Sequence, residues 1–594
     1  MSSANGEGGT ARSTGHPAPP SERLRESEHV MTASDGATIH YRAWLPERAA
    51  SKAVLLFHRG HEHSARWQRT VADLRSEDTA FFAWDARGHG RSSGERGGAP
   101  HLGRVIQDAD EFARHVSATH GVPLQDTAVL AHSVGAVVAA AWVHDFAPPI
   151  RGMVLVTPAF RVKLYVPFAI PALRFRQRWI GPGEVKSYVK SKVLTHDPEQ
   201  RRAYDADPLI FRQIAVNILL DLNDTSKRLL EDAAAITVPT LVLAAGSDWV
   251  VRIDAQRRFV ERLGSSSKRF EVLPGFFHAM FHESRRSEVI VRVQRFLDSC
   301  FVSRHDRKAL LDADKHGPMR DEFDRLSRPG GFMFVPSRAF LRSVGRLSTG
   351  VALGWKSGFD SGLTLDYVYE NRARGKTPLG RLIDANYLGS IGWRGIRVRR
   401  RNLEELLRAA ILSTRDEGRP VHLVDIAAGA GRYVIEVIRS LPDVEMTACL
   451  RDYRQANLDA AAKRAADAGL QQVTTHLGDA FDEHALASLT PAPTIAIVSG
   501  LYELFPENEP VRRSLRGLAS AMAPGTRLIY TNQPWHPQVE FIARVLTNRE
   551  GRPWVMRRRT QAEMDELVRA AGFVKQTQRI DQWGIFSVSV ARRA

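Results

Sequence analysis

From Thr38 onward, short apolar runs alternate with longer stretches of helical periodicity, which is the pattern of a mostly parallel sheet covered on both faces. Runs at 53–57, 81–84, 127–130, 152–156 and 240–244 predict five buried strands. Each ends where a residue with usable chemistry begins, as expected when ligands sit beyond the carboxyl ends of parallel strands. After residue 302 the pattern turns polar and irregular, and a linker is expected over 303–330. The stretch 341–402 is rich in Gly, Tyr and Arg and runs into a helical pattern from Asn402, reading as a helical lead-in that covers a second site. A second alternation begins at Val421, with strands expected at 445–450, 473–477 and 494–498, another after Ala523-Pro524-Gly525-Thr526, and a last helix ending near Gly572. The expected organisation is a tail over 1–25, an α/β unit over 26–302 with an insertion at 157–236, linker and lead-in over 303–384, and a second α/β unit over 385–594.

Length agrees, because 594 residues exceed what one hydrophobic core organises. Hydrophobic residues at 43% and charged residues at 25% exclude a disordered or fibrous chain. The two cysteines, Cys300 and Cys449, fall in different units, which excludes a disulfide framework and points to a reducing cytoplasm. Residues 1–20 lack the apolar core of a signal peptide and read as a disordered tail. No run approaches the roughly 20 apolar residues of a membrane span, so any membrane contact is at a surface, peripheral to an anionic face. The net charge of +17 would attract anions, but the arginines are scattered through every helical pattern. Only 397–401 and 557–559 form dense basic blocks, and nucleic acid is not expected as a partner. No oligomeric state is implied.

Ala131-His132-Ser133-Val134-Gly135 follows a strand and opens a small-residue helix, the setting of a nucleophile elbow with alanine in place of the first glycine. Asp248 follows the 240–244 strand and His278 lies in Pro274-Gly275-Phe276-Phe277-His278, giving the chain order Ser, Asp, His. In that arrangement the histidine takes the serine proton and returns it to the leaving group, while the aspartate fixes the ring and stabilises its cation. The oxyanion donors are expected to be the backbone N–H of Val134 and that of Gly60, in His58-Arg59-Gly60-His61-Glu62-His63-Ser64. These residues, with Asp85-Ala86-Arg87-Gly88-His89-Gly90-Arg91-Ser92-Ser93-Gly94-Glu95-Arg96, resemble the monoacylglycerol lipase and lysophospholipase-like branch of the α/β-hydrolases, often called serine aminopeptidase S33, over 32–301. The resemblance implies a helical cap over 157–236, whose apolar start beside Arg174, Arg176 and Arg178 suits either a lipid-facing lid or a helix packed on its own domain. Arg59 stands where the branch has glycine; it could recognise an anionic headgroup, but is expected to point to solvent. His58, His61 and His63 lack a carboxylate pair at ligand spacing, so no metal is expected.

Val421-His422-Leu423-Val424-Asp425-Ile426-Ala427-Ala428-Gly429-Ala430-Gly431 is a strand running into a glycine turn before a helix, where backbone can approach a cofactor closely. Val434 occupies the third small position of a dinucleotide fingerprint, which disfavours NAD or flavin. Asp452 ends the next strand, Asp479 the one after, and Ser499-Gly500-Leu501-Tyr502-Glu503 follows the fourth. This series resembles the class I methyltransferases, Rossmann-like in fold, over 386–590; the resemblance implies S-adenosyl-L-methionine as cofactor, with Asp425, Gly429, Gly431, Asp452 and Asp479 binding it. Asn532-Gln533-Pro534-Trp535 is similar to an amine clamp but follows the fifth strand, so amino methylation is not supported. The expected protein is a bifunctional enzyme that hydrolyses a small-molecule or lipid ester, lysophospholipid-like, and transfers methyl groups. The alternatives are one catalytic half with a binding or scaffold partner half, and a methyltransferase acting on RNA.

Overall fold

The computed structural model describes residues 24–74 and 76–594, and the expected tail lies outside them up to residue 23. Ten strands among the described residues belong to the first half: β1 Arg25–Thr32, β2 Thr38–Leu45, β3 Lys52–Phe57, β4 Thr79–Trp84, β5 Thr127–His132, β6 Met153–Val156, β7 Glu184–Lys186, β8 Gln213–Ala215, β9 Thr240–Ala245 and β10 Lys268–Leu273. Eight form one sheet in the order β1-β2-β4-β3-β5-β6-β9-β10, in which β2 runs antiparallel to both its neighbours, β1 and β4, and the remaining pairs are parallel. The central strands are continuous apolar runs because helices cover both faces. The edge strands β1, RESEHVMT, and β10, KRFEVL, carry charge that blunts an open edge and hides them from an apolar-run search.

Between β6 and β9 the chain leaves the sheet to build a cap from helices Ala169–Trp179, Pro198–Ala206 and Val216–Glu231 and the β7–β8 pair. Helix Ala169–Trp179 buries none of its residues, and Phe168 and Trp179 are 83% and 70% exposed. It rests against helix Val216–Glu231 on one side and leaves these aromatic side chains open on the other. Among the described residues no helix is long and apolar enough to cross a membrane.

The second half holds β11 Val421–Asp425, β12 Met446–Asp452, β13 Val473–Leu477, β14 Ile495–Val498, β15 Arg527–Asn532, β16 Phe573–Ile580 and β17 Ser587–Arg593. Their order is β13-β12-β11-β14-β15-β17-β16, a doubly wound Rossmann-like sheet with antiparallel β17 inserted beside the last strand. Apolar clusters lie on both of its faces. Helices Val335–Arg342, Thr349–Ser357, Gly362–Glu370 and Pro378–Leu388 precede a long helix, Ile391–Asp416. That helix starts well before the expected Asn402, since Trp393 and Ile396 already face the interior and the intervening arginines mask the apolar stripe.

The halves are joined by more than chain. Helix Val134–Phe146, which follows the nucleophile, is apolar on every face as far as Val143, and every residue after its first is buried. It packs between the cap helix Val216–Glu231 and helix Gln561–Ala570 of the second half. Lys575 Nζ donates to the carbonyl of Phe146 at 2.5 Å and Gln578 Nε2 to that of Asp145 at 2.7 Å, so the second half caps the nucleophile helix. Within 303–330, Arg307 donates to the carbonyls of Ala147 and Pro148, while the carbonyl of Leu311 accepts from Asn508 Nδ2.

Candidate active sites

Strand β5 delivers Ser133 at φ 55°, ψ −113°, a strained turn that lifts the hydroxyl clear of the sheet. Gly135 is required there: a Cβ on it would stand 2.4 Å from the His58 carbonyl oxygen. His278, beyond β10, places Nε2 2.8 Å from Ser133 Oγ and Nδ1 2.8 Å from Asp248 Oδ2. Asp248 Oδ1 accepts from the N–H groups of Val250 and Val251 at 2.7 and 2.9 Å. Burial pushes the Asp248 carboxyl up, but the charge and hydrogen bond of His278 and those two N–H groups outweigh it and hold the group below its ordinary value. Two residues with no separate sequence signal hold the imidazole's backbone: Thr157 Oγ1 donates to the His278 carbonyl at 3.2 Å and His132 Nε2 lies 3.0 Å from it. Burial drives the His132 pKa down to about 3, so this ring is neutral.

Gly60 and Val134 are neighbours, since a Cβ on Gly60 would lie 3.3 Å from Val134 Cγ2. Both line a small slot of about 50 Å³, together with Leu102, Val138 and Ile218. Asp85 sets the loop's course by accepting from the N–H of Ser64 at 2.6 Å and of Arg91 at 2.8 Å. Arg59 does not point to solvent. It is 3% exposed, pairs with Glu62 at 3.0 Å and lies over the ring of cap residue Tyr204 at 4.9 Å, tying the loop to the cap. The loop histidines diverge: His58 Nδ1 bonds the Arg59 carbonyl while its Nε2 accepts from Ala86 N–H, and His63 Nε2 meets Asp207 of the cap at 2.9 Å. Among the described residues no three or more metal-ligating side chains gather.

In the second half, β11 ends at Asp425 and the turn brings Gly429 to Asp452, whose Oδ2 accepts the Gly429 N–H at 3.0 Å. Asp452 Oδ1 accepts from Arg454 N–H at 2.9 Å and Asn457 Nδ2 at 3.0 Å. Asp425 is enclosed, bonded by the Tyr433 hydroxyl and by Ala427 N–H, and burial pushes its carboxyl up to about 7. It shapes the turn. Asp479 lies one strand further out and caps its own turn, accepting from Phe481 N–H at 2.9 Å. A Cβ on Gly429 would meet nothing within 4 Å, whereas one on Gly431 would stand 2.5 Å from Leu450 Cδ1. Backbone at Gly429 therefore borders open space beside a carboxylate, a cradle that fits a nucleoside cofactor with a ribose diol.

The 557–559 block turns inward, and the 397–401 block does so in part, leaving Arg401 exposed. Arg557 pairs with Glu563, and Arg559 donates to the carbonyls of Tyr502, Phe505 and Glu507. Arg558 pairs with Asp232 and Glu322. Arg399 is buried against Glu503 at 2.9 Å, and Arg400 pairs with Glu404 and Glu436. The sequence block at 557–559 is thus an interior ion network.

Elbow, strand-end acid and histidine on an eight-stranded mixed sheet define an α/β-hydrolase in the first half, and the second sheet defines a Rossmann-like domain. By sequence the chain belongs to the family described as "Putative methyltransferase", matched over 293–593, and residues 48–285 match "Serine aminopeptidase, S33". It is 49% identical over 575 residues to the uncharacterized protein YnbC of Escherichia coli (strain K12), covering 95% of this chain and 98% of that one. The monoacylglycerol lipase of Mycolicibacterium smegmatis is 28% identical over 275 residues, 46% of this chain and 97% of the relative. The solved monoacylglycerol lipase of Paleococcus ferrophilus is 21% identical, with a TM-score of 0.39 over 47% of this chain and 99% of that one.

Proposed function

We propose that the chain is a bifunctional enzyme: a serine esterase acting on lipid or lysophospholipid-like esters, and an S-adenosyl-L-methionine-dependent methyltransferase. The observation that carries the first activity is the unbroken relay Ser133–His278–Asp248 with 2.8 Å steps. As Ser133 Oγ attacks the ester carbonyl, His278 Nε2 takes its proton and then gives it to the leaving alcohol. The developing oxyanion meets the N–H groups of Gly60 and Val134. Water, deprotonated by the same imidazole, then releases the acid from Ser133. A lipid substrate is supported by the exposed Phe168, Phe175, Trp179 and Ile180 beside Arg174 and Arg178, a surface suited to an anionic membrane face from the cytoplasm. Labelling by a fluorophosphonate, once per chain and absent in a folded Ser133→Ala variant, tests this; persistent labelling would move the nucleophile elsewhere.

For the second activity, Asp452 would receive the ribose hydroxyls and the 429–431 backbone would lie along the cofactor, with Asp425 and Asp479 shaping the two turns. The cofactor supplies an electrophilic methyl group. Calorimetric titration with S-adenosylhomocysteine, against NAD, tests the assignment; tighter binding of NAD would sink it.

A further inference from the structure

A cavity of about 330 Å³ opens inside the second half, between the lead-in helices and the carboxyl end of the sheet. Its walls are largely aromatic, with Phe359, Tyr387, Trp393, Phe541, Trp554 and Phe586 among them. The volume suits a small organic molecule. One end is closed by Gly500 and Glu503, just past β14. Strand β14 pairs with β11, Ile497 opposite Asp425, so this end adjoins the glycine turn. Helix Gly362–Glu370 bridges the two places: Leu365 lines the cavity, while Asp366 bonds Arg432 at the start of the helix after the turn, at 2.9 Å.

The apolar lining is interrupted by groups that lack partners among the described residues. Glu503 Oε1 is held by Arg399 Nη1 at 2.9 Å, but buried Oε2 has no hydrogen-bond partner. Asp360 Oδ2 accepts from Arg549 Nε at 3.0 Å, and buried Oδ1 has none. Trp554 Nε1, also buried, lacks an acceptor. A buried polar group left unmatched is costly, so an occupant is expected to supply the missing hydrogen bonds. Two open carboxylate oxygens need donors and repel a carboxylate or phosphate ligand. Arg399, buried against Glu503, disfavours an ammonium at the same end. A neutral hydroxyl satisfies both conditions.

We infer that this cavity is the acceptor site of the methyltransferase half and takes a neutral, hydroxylated, largely apolar molecule whose O–H is held by Glu503 Oε2 at the Gly500 end. The inference rests on the methyltransferase reading of this half. It sets the acceptor apart from RNA, whose phosphates and polar bases have no match in an aromatic chamber.

The test uses the full chain and a brominated probe, since bromine quenches tryptophan on contact and Trp393 and Trp554 line the chamber. Bromododecanol should quench saturably, with a share of the signal removed by Trp554→Phe. Bromododecane, which lacks the hydroxyl, should bind at least about tenfold more weakly. Ile396→Phe, which fills the chamber, should abolish that share, and Glu503→Gln should weaken bromododecanol about tenfold while leaving bromododecane unchanged. Melting curves and S-adenosylhomocysteine calorimetry on each variant show that the fold and the neighbouring site survive. Equal affinity for the two probes, or quenching indifferent to Ile396→Phe in a folded protein, would overturn the inference. If S-adenosylhomocysteine fails to bind while bromododecanol behaves as expected, the ligand class stands and the methyltransferase reading falls.

Discussion

Arg558 closes a two-pronged ion pair on Asp232 of the other half, Nη2 to Oδ1 at 3.1 Å and Nη1 to Oδ2 at 3.2 Å. His144 Nε2 lies 2.8 Å from the same carboxylate, and His144 in turn contacts Asp145, which pairs with Arg228. These side chains are all buried, so the network neutralises charges that neither half could bury alone.

Removing one member is therefore expected to be severe. Arg558→Met should destabilise the full chain by about 3–5 kcal/mol, because Asp232 and Glu322 lose their shared partner inside the protein. Denaturant unfolding measures it, and a loss below about 1 kcal/mol would show that water reaches the site. On sequence grounds each half owns a core and pieces ending near 302 or starting near 330 would fold separately. The structure revises that expectation: the N-terminal piece would expose the apolar nucleophile helix and strip Asp232 of Arg558, and should aggregate or melt well below the intact chain.

The same network makes stability depend on pH in a stated direction. Burial lowers the His144 pKa, but hydrogen bonds and charge from Asp145 and Asp232 overcome it and raise the net value above 6.5. A raised histidine contributes stability that is complete below about pH 6.5 and lost as pH climbs through the folded value. Asp232 behaves oppositely: burial raises it, Arg558 and His144 pull it to about 2, and its contribution disappears as pH falls from about 4 toward 2. Thermal melts should decline on both sides, and His144→Gln should flatten the alkaline limb and, to a lesser degree, soften the acid limb by removing one of the groups that hold Asp232 down. An unchanged alkaline limb would mean that His144 is neutral throughout.

In the hydrolase site, Asp248→Asn should leave the fold intact and lower kcat about 10⁴-fold, since an amide cannot hold the required imidazole tautomer or balance its charge. Esterase assays on a short acyl ester measure this. A loss under about tenfold would leave orientation of His278 to Thr157 and His132.

Ser133 and Asp248 were legible because each follows an apolar run, and His278 because it completes the required order ahead of a terminal helix, signals local to the chain. Arg59 was not: its burial depends on Glu62 in the same loop and on Tyr204 from the distant cap, and no local pattern marks that meeting. The burial of Arg557, Arg558 and Arg559 was illegible for the same reason, since Glu563, Asp232 and the 502–507 carbonyls that absorb them lie on other elements. The apolar stripe of the helix from Ile391 was hidden by Arg399 and Arg400, whose acidic partners include Glu503 and Glu436 on other elements. Charge burial is a tertiary property, whereas strand ends and turns are written locally.

The two glycines of the cofactor turn separate folding from binding. Gly429 and Gly431 both have positive φ, 54° and 64°, so a side chain at either costs about 1 kcal/mol of backbone strain. Their surroundings differ. At Gly431 a Cβ would press on Leu450 Cδ1 at 2.5 Å, with Ile435 Cδ1 at 3.3 Å, so Gly431→Val should destabilise the second half by overpacking, by about 1–3 kcal/mol beyond the strain. At Gly429 a Cβ would meet no protein atom within 4 Å, so Gly429→Ala should leave the melting temperature within a few degrees of the parent. If that open space is where the cofactor lies against the backbone, the methyl group displaces it, and affinity for S-adenosylhomocysteine should fall at least about tenfold in a protein that is otherwise sound. Asp452→Asn supplies the complementary loss, since it keeps the shape of the side chain while removing the charge that would hold a ribose diol, and about tenfold weaker binding is again expected. Unchanged affinity in both Gly429→Ala and Asp452→Asn, with melting intact, would place the cofactor away from this turn.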